Sequence, residues 1–228
     1  MRISEKARGT IFQAERPLLY YVTDRRQLSG ETVLSRIRRV LARGVDFIQI
    51  REKDLSDRDL FALTQSVVSL ARGKRCRILV NGRADVALAA GAHGVHLPTR
   101  SLPIGCVRRW LPPSFLIGVS AHSQSEARLA ARAGTDYLLL GPVFPTATKL
   151  EYGPPLGLTC LRETCRKVPI PVFGLGGIRP QSVDTVTLMG AVGVAGITLF
   201  QKDLFLLPTK KEKNIRTAAD LLLWRPRS

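Results

Sequence analysis

Short apolar runs alternate with amphipathic stretches along most of the chain. The run LLYYVTD at residues 18–24 is typical of a buried strand, and the stretch after it carries apolar residues at helical spacing as far as Gly44. The same alternation recurs along the chain and predicts a strand followed by a helix each time. The predicted strands are residues 18–24, 47–52, 77–81, 94–98, 116–121, 137–143, 171–177 and 193–197. The predicted helices are residues 31–44, 57–73, 84–91, 104–110, 123–134, 158–167, 180–190 and 215–224.

The order of these elements predicts the fold class. Near-continuous apolar strands that alternate with helices indicate a parallel sheet covered by helices. Eight such units in a chain of 228 residues predict an α/β fold with a single (β/α)8 TIM barrel. A doubly wound open sheet is the alternative, but the segment TDRRQLSG after the first strand lacks the glycine fingerprint usual there. We expect an N-terminal extension at residues 1–17 and the barrel at residues 18–228.

Composition and charge narrow the classes of partner. The chain has no apolar run long enough to span a membrane, and its first residues lack the apolar core of a signal peptide. We therefore expect a cytoplasmic protein with no membrane partner. The net charge of +17 favours anionic partners. Nucleic acid is kept only as an alternative partner, because the arginines are scattered and no zinc-finger spacing or aromatic-rich RNA-binding strand is present.

Polar residues follow the predicted strands, where a barrel of this kind carries its active site. The candidates at these ends are Gln49, Arg51, Lys53, Asn81, Ser120, His122, Thr146, Thr148, Lys149 and Thr198. Arg51, Lys53 and Lys149 come from two strand ends, and we expect them to gather positive charge over one barrel mouth. The loop GLGGI offers the backbone N–H groups of Gly176 and Gly177 as a phosphate cradle.

The three histidines have different expected roles. His122 lies just after the fifth predicted strand, where it could titrate near neutral pH and move a proton. We expect His93 to be structural, because it lies in a turn between a helix and a strand. We expect His96 to be a packed, hydrogen-bonded residue of the core.

Seven motifs together resemble a known family. They are QIREKD, NGRADVALA, GVHLP, GVSAHS, DYLLLGPVFPTATK, PVFGLGGI and GVAGI, in this order between about residues 18 and 200. As a set they closely resemble the thiamine phosphate synthase/TenI superfamily, whose fold is the same barrel. The resemblance implies a phosphorylated small molecule as the ligand, and it leaves a homo-oligomer open.

Within that superfamily, the synthase joins a pyrimidine diphosphate to a thiazole phosphate and uses magnesium to neutralise the departing pyrophosphate. A pyrimidine methyl cation forms and the thiazole nitrogen captures it, so stabilising pyrophosphate is the main demand. The residues that match the pyrophosphate site are Arg51, Lys53, Asn81 and Lys149, with the hydroxyls of Thr146 and Thr148 nearby. The residues that match the phosphate region are Gly176, Gly177 and, at the end of strand eight, Thr198.

Two positions distinguish the synthase from TenI. Synthases usually carry Asn-Asp after strand three and an acidic residue in the loop after strand four, and these carboxylates hold magnesium. Here the two positions hold Gly82 and Ser101. The pattern resembles TenI, a thiazole tautomerase that shifts a proton without a metal. We therefore predict a TenI-like tautomerase with no cofactor or metal, in which His122 exchanges the proton and Gln49 or Ser120 orients the ring.

Two alternatives stay open. The loop GPVFPTATK resembles the synthase form, so a magnesium-dependent synthase with a weakened metal site is the first alternative, with Glu52 or Asp54 as conceivable carboxylate donors. The second alternative, from another class, is a non-catalytic protein that binds a phosphate ligand or nucleic acid.

Overall fold

A computed structural model describes residues 11–99, 101–146 and 154–202 of the chain. Its strands are β1 (Leu18–Val22), β2 (Phe47–Ile50), β3 (Arg77–Asn81), β4 (Gly94–Leu97), β5 (Leu116–Ala121), β6 (Tyr137–Leu140), β7 (Val172–Leu175) and β8 (Gly193–Gly196). All eight pair in parallel with their neighbours in chain order, and β8 pairs with β1, so the sheet closes into a barrel. The predicted TIM barrel is therefore confirmed, and the doubly wound alternative, which needs an open sheet, is wrong.

A helix follows every strand. The helices are α1 (Val33–Ala42), α2 (Asp57–Ala71), α3 (Ala84–Ala89), α4 (Ile104–Trp110), α5 (Gln124–Arg132), α6 (Gly157–Lys167), α7 (Val183–Leu188) and α8 (Thr198–Gln201). Short 3-10 turns lie at Arg25–Gln27 and Pro180–Ser182. The predicted helix at residues 215–224 lies outside the described residues, and the short α8 follows β8 directly instead. None of the helices in the described part of the chain has the length and apolar character needed to cross a membrane.

Hydroxyl side chains mark where several helices begin. Thr32, Ser56 and Ser123 precede α1, α2 and α5, and the hydroxyl oxygen of each accepts a backbone N–H from the first turn. Such caps satisfy N–H groups that have no partner inside the helix. They fix the points at which the loops of the barrel mouth end and the outer helices start.

The strands separate two apolar layers, because successive side chains of a strand point to opposite faces. Outward-facing residues such as Leu19, Tyr21 and Ile48 pack beneath the helices. Inward-facing residues such as Tyr20 and Phe47 fill the barrel itself. This arrangement explains why the strands read as continuous apolar runs: both of their faces are buried.

An aromatic layer fills the middle of the barrel. The rings of Tyr20, Phe47, Tyr137 and Phe173 lie with centroids 5.4–6.2 Å apart. Gly118 makes room for this layer, since a Cβ at that position would lie 2.0 Å from Cζ of Tyr137. The pairing of a large ring with a glycine on the neighbouring strand is typical of a close-packed interior.

Three side chains at the opposite end of the barrel perform one common task. They belong to the residues immediately before β2, β4 and β6. Each side chain accepts a hydrogen bond from the backbone N–H of the second residue of β1, β3 or β5, respectively. The bonds are Leu19 N to Asp46 Oδ2 at 2.9 Å, Ile78 N to His93 Nδ1 at 3.0 Å and Ile117 N to Asp136 Oδ2 at 2.7 Å. We call Asp46, His93 and Asp136 the rim acceptors. His93 therefore has the structural role expected of it.

We expect Gly118→Ala to lower the free energy of unfolding by about 1–3 kcal/mol, because the added methyl group must displace the Tyr137 ring in a packed interior. Gly105→Ala in α4 is the matched control, since no atom lies within 4 Å of the Cβ that it would add. Urea denaturation measures both variants. Equal stability of the two would contradict the packing described for Gly118.

We expect the stability that His93 contributes to depend on pH. Burial, with a smaller effect of Arg77, lowers the pKa of His93 from its usual 6.5. The unfolded chain therefore binds the proton more tightly, so the contribution is present above pH 6.5 and is lost as the pH falls through the folded value. Denaturation curves between about pH 7 and 5 should show a larger loss for the wild type than for His93→Asn, whose amide oxygen can accept the same N–H without titrating. Parallel losses would refute this role.

Candidate functional site

A cavity of about 1350 Å³ opens at the carboxyl ends of the strands. The predicted site residues that line it are Gln49, Arg51, Lys53, Asn81, Ser120, His122, Thr146, Gly176, Gly177 and Thr198. Thr148 and Lys149 lie outside the described residues. Parallel strands bring these side chains together although they are far apart in sequence, which is the property for which barrel enzymes use this end.

The loop after β2 brings two cations to this mouth. Arg51 is half-buried and Lys53 is exposed, and both line the cavity. The backbone N–H of Arg51 donates to Oγ1 of the buried Thr23 at 2.9 Å, which anchors the start of the loop to the end of β1. The arrangement offers positive charge to an anion, with an arginine whose fork geometry suits phosphate oxygens.

The two acidic residues of the same loop are held by other arginines. Asp54 accepts from Arg25 at 2.5 and 2.8 Å and from Arg26 at 2.8 Å, and the hydrogen bonds from Arg25 lower the pKa of Asp54 to about 2. The buried carboxylate of Glu52 accepts the backbone N–H of Arg25 at 3.1 Å. These contacts hold both carboxylates against the segment after β1, so they do not act as donors to a metal in the mouth.

The residues at the two positions where the resemblance expects magnesium-binding carboxylates also do not fit that ion. Gly82 has no side chain, and Oγ of Ser101 donates to the carbonyl of Leu102 at 3.2 Å. Asp24 is the acid that lines the mouth among the described residues, and its carboxylate accepts from Arg26 N and Gln27 Nε2. Within residues 11–99, 101–146 and 154–202, no group of three His, Cys, Asp or Glu side chains could hold a metal ion.

His122 is held in one orientation at the mouth. Its backbone N–H donates to Oε2 of Glu126 at 2.7 Å, and Glu126 in turn lies in the first turn of α5. The ring Nδ1 lies in hydrogen-bond contact with the carbonyl oxygen of Gly141. A carbonyl oxygen only accepts, so Nδ1 carries a hydrogen, and in the neutral ring Nε2 is the basic nitrogen. The ring can therefore act as a proton acceptor at Nε2.

A chain of polar side chains runs through the barrel beneath the mouth. Its successive distances are 2.9 Å from Asn81 Oδ1 to Gln49 Nε2, 3.2 Å from Gln49 Oε1 to the Tyr20 hydroxyl, 2.9 Å from there to the Tyr137 hydroxyl, 3.3 Å to His96 Nδ1, and 2.9 Å from His96 Nε2 to Ser120 Oγ. His96 is buried, as expected of a packed and hydrogen-bonded core residue. Asn81 and Ser120, the two ends of this series, line the cavity together with Gln49 and His96, whereas Tyr20 and Tyr137 do not line it.

The glycine loop after β7 forms another part of the wall of the mouth. Gly176 and Gly177 have φ angles of +93° and +65°, which side chains rarely tolerate. A Cβ at Gly177 would also lie 2.6 Å from the carbonyl oxygen of Pro145, in the loop after β6. The sequence therefore needs glycine here to bring two loops together, and the result is a wall of bare backbone suited to an anion.

Several lining residues are missing from the sequence-based site. They are Asp24, Gln27, Arg179, Gln181, Ser182 and Lys202. Asp24 and Gln27 belong to the segment after β1, and Arg179 follows the glycine loop, so their position after a strand was an available signal. Lys202 follows α8, and the sequence pattern did not predict that helix. Arg179 and Lys202 add further positive charge to the mouth.

Comparisons with known proteins point to one family. The family model described as thiamine monophosphate synthase matches residues 19–200. A thiamine-phosphate synthase of Methanoculleus marisnigri is 42% identical over 79% of this chain and 85% of its own length. A thiamine-phosphate synthase of Roseiflexus castenholzii is 39% identical over 82% of each chain. Among solved structures, thiamine phosphate pyrophosphorylase from Pyrococcus furiosus matches with a TM-score of 0.73 and 31% identity, over 82% of this chain and 94% of its own.

We expect Arg51→Ala to weaken the binding of inorganic pyrophosphate about tenfold, because a charge-assisted hydrogen bond at the mouth is lost. Arg72→Ala is the matched control, since Arg72 is an exposed arginine at the end of α2 and does not line the cavity. Isothermal titration calorimetry at fixed ionic strength measures both. An equal loss in the two variants would mean that overall charge, not the mouth, binds the anion.

Proposed function

Because the chain belongs to the thiamine monophosphate synthase family, we propose that it condenses a pyrimidine diphosphate with a thiazole phosphate at the barrel mouth. This is the synthase alternative from the sequence analysis, and the names of the relatives support it better than the tautomerase that Gly82 and Ser101 favoured. The preference for an isomerase is revised accordingly. The observation that carries the proposal is a single cavity whose wall holds the cations of the β2 loop at one place and the glycine loop after β7 at another.

These two parts of the wall suit the two anionic groups of such substrates. Arg51 and Lys53 would bind the diphosphate, and the amide of Asn81 would donate to it. Gly176 and Gly177 would bind the thiazole phosphate through backbone N–H groups, with the hydroxyl of Thr198 beside them. Under this division the pyrimidine carbon and the thiazole nitrogen would meet between the two parts of the wall, as a condensation requires.

The main catalytic requirement of this reaction is to stabilise the departing pyrophosphate. As its bond to the pyrimidine methylene carbon breaks, negative charge grows on the leaving oxygen, and fixed positive groups stabilise that charge. Arg51 and Lys53 would supply this stabilisation from the β2 loop, and Arg179 and Lys202 would add to the positive field. The thiazole nitrogen then donates its electron pair to the methylene cation, which forms the new C–N bond.

Magnesium is the ion that the family implies, but the described donor set does not fit it. The positions expected to hold carboxylates carry Gly82 and Ser101, while Glu52 and Asp54 are paired with arginines after β1. Cationic side chains are assigned the neutralising role.

One observation favours a second candidate, the metal-free thiazole tautomerase. His122 lines the mouth with Nδ1 bonded to the Gly141 carbonyl, so Nε2 of the neutral ring is a base beside the proposed thiazole site. In that reaction His122 would accept a proton from the ring of a thiazole carboxylate phosphate and return it at another position. Ser120, two residues earlier on β5, would contact the same ring.

We expect thiamine phosphate to form when the purified chain is mixed with both substrates. Chromatography of reactions with and without added magnesium measures the product. Arg51→Ala should lower kcat/KM by about 10²-fold, because it removes a group that stabilises the leaving pyrophosphate. Arg72→Ala should leave kcat/KM unchanged.

The second candidate predicts a different result in the same experiment. No thiamine phosphate forms, the thiazole carboxylate phosphate is isomerised, and His122→Ala abolishes that turnover while thiazole phosphate still raises the melting temperature. If neither substrate turns over but thiazole phosphate stabilises the fold, the protein is a phosphate-binding protein without catalysis.

A further inference from the structure

The polar chain beneath the mouth joins the two sides of the proposed site. Asn81 stands on the side assigned to the diphosphate, and Ser120 stands on the side assigned to the thiazole. Between them lie Gln49, Tyr20, Tyr137 and His96, all buried. Tyr20, Tyr137 and His96 have no role in the proposed function, and their burial makes a set of unsatisfied polar groups costly.

The number of polar hydrogens on these side chains fixes which member donates and which accepts in each hydrogen bond. The Tyr20 hydroxyl donates its one hydrogen to Gln49 Oε1, so it can only accept from Tyr137. Tyr137 has then used its own hydrogen and can only accept from His96 Nδ1. A neutral imidazole with its hydrogen on Nδ1 accepts at Nε2, so Ser120 must donate its hydroxyl hydrogen to His96.

The same count sets what each end offers to a ligand. Gln49 Nε2 donates to Asn81 Oδ1, so Asn81 presents its NH2 group to the mouth. The Ser120 hydroxyl donates its hydrogen to His96, so its oxygen can only accept a hydrogen bond from a ligand. If Asn81 were reversed, each member would reverse in turn, and Ser120 would become a donor.

We propose that Tyr137 is a positioning residue. Its hydroxyl joins the hydrogen bonds on the Asn81 side to those on the Ser120 side, so that Asn81 is held as a donor and Ser120 as an acceptor. The inference rests on the proposed function only in naming the ligands: an anion accepts from Asn81, and a hydrogen-bond donor of the bound substrate other than the reacting thiazole nitrogen donates to Ser120. Because the members reverse together, an anion bound at Asn81 favours the state in which Ser120 accepts.

The environment of the two tyrosines supports a fixed set of hydrogens. Both are fully buried, and this burial raises the pKa of each phenol well above its usual 10. Neither hydroxyl therefore loses its proton in the pH range in which enzymes work. Gly118 on β5 leaves the space that the Tyr137 ring occupies, which holds the hydroxyl between Tyr20 and His96.

The test is the position of the hydrogen on His96, read by long-range 1H–15N correlation of the histidine rings. The chain has three histidines, so spectra of His93→Asn and His122→Asn assign the His96 signals. We expect the wild type to carry the hydrogen on Nδ1. In Tyr137→Phe it should move to Nε2, because the hydroxyl that accepts from Nδ1 is removed while Ser120 Oγ can still accept.

A second variant tests the other end and guards against misfolding of Tyr137→Phe. Tyr20→Phe should shift His96 in the same direction, because the Tyr137 hydroxyl then turns its hydrogen to Nδ1. It should also weaken inorganic pyrophosphate binding about fivefold, because Gln49 loses the donor that keeps its NH2 group on Asn81. Tyr21→Phe is the matched control: Tyr21 is equally buried on the same strand, but its hydroxyl accepts from Gln201 on the outer face.

The proposal is overturned if wild-type His96 carries its hydrogen on Nε2 or on both nitrogens, or if it keeps Nδ1–H in folded Tyr137→Phe. It is also overturned if Tyr21→Phe shifts His96 as much as Tyr137→Phe does. A wild type that binds no pyrophosphate and makes no thiamine phosphate refutes the proposed function instead, because the His96 measurement needs no substrate.

Discussion

The pairing of β8 with β1 is the constraint on which the rest of the structure depends. Leu18 lies opposite Gly193 in this pair, and a Cβ at Gly193 would lie 2.0 Å from the carbonyl oxygen of Leu18. Closure in parallel leaves no free strand edge and turns every carboxyl end to one rim. Residues as distant in sequence as Arg51 and Gly177 can then line one cavity, and the positive charge that is scattered in sequence is partly collected in space.

Closure also limits what can fill the interior. The barrel is narrow, so its middle layer consists of large rings packed against a glycine, and Phe12 stacks on Phe47 next to that layer at 5.6 Å. Two of these rings carry hydroxyls, which bond to each other and to the side chains of Gln49 and His96. The same residues therefore supply packing and a polar connection, and the mouth rests on a support that is both rigid and hydrogen-bonded.

The fold could be predicted from the sequence because strand and helix periods alternate with little interruption, and because the strand-end residues follow directly from that order. The positions of Arg51, Asn81 and His122 at one mouth could be predicted in this way. The roles of Glu52 and Asp54 were not, since their pairing with Arg25 depends on how two loops fold together. The link from Tyr20 through Tyr137 to His96 was also hidden, because an apolar strand pattern does not reveal where its hydroxyls point. The tautomerase preference rested on two positions and was outweighed by relatives that match most of the chain.

The rim acceptors have a consequence for how such barrels are compared with one another. Asp46, His93 and Asp136 are chemically different, yet each supplies a lone pair to the same kind of backbone N–H at an equivalent place around the ring. A carboxylate and an imidazole can therefore make the same contact. A comparison of these three segments by residue identity would count the positions as variable, whereas a superposition of the three successive strand pairs β1–β2, β3–β4 and β5–β6 would reveal the repeated contact.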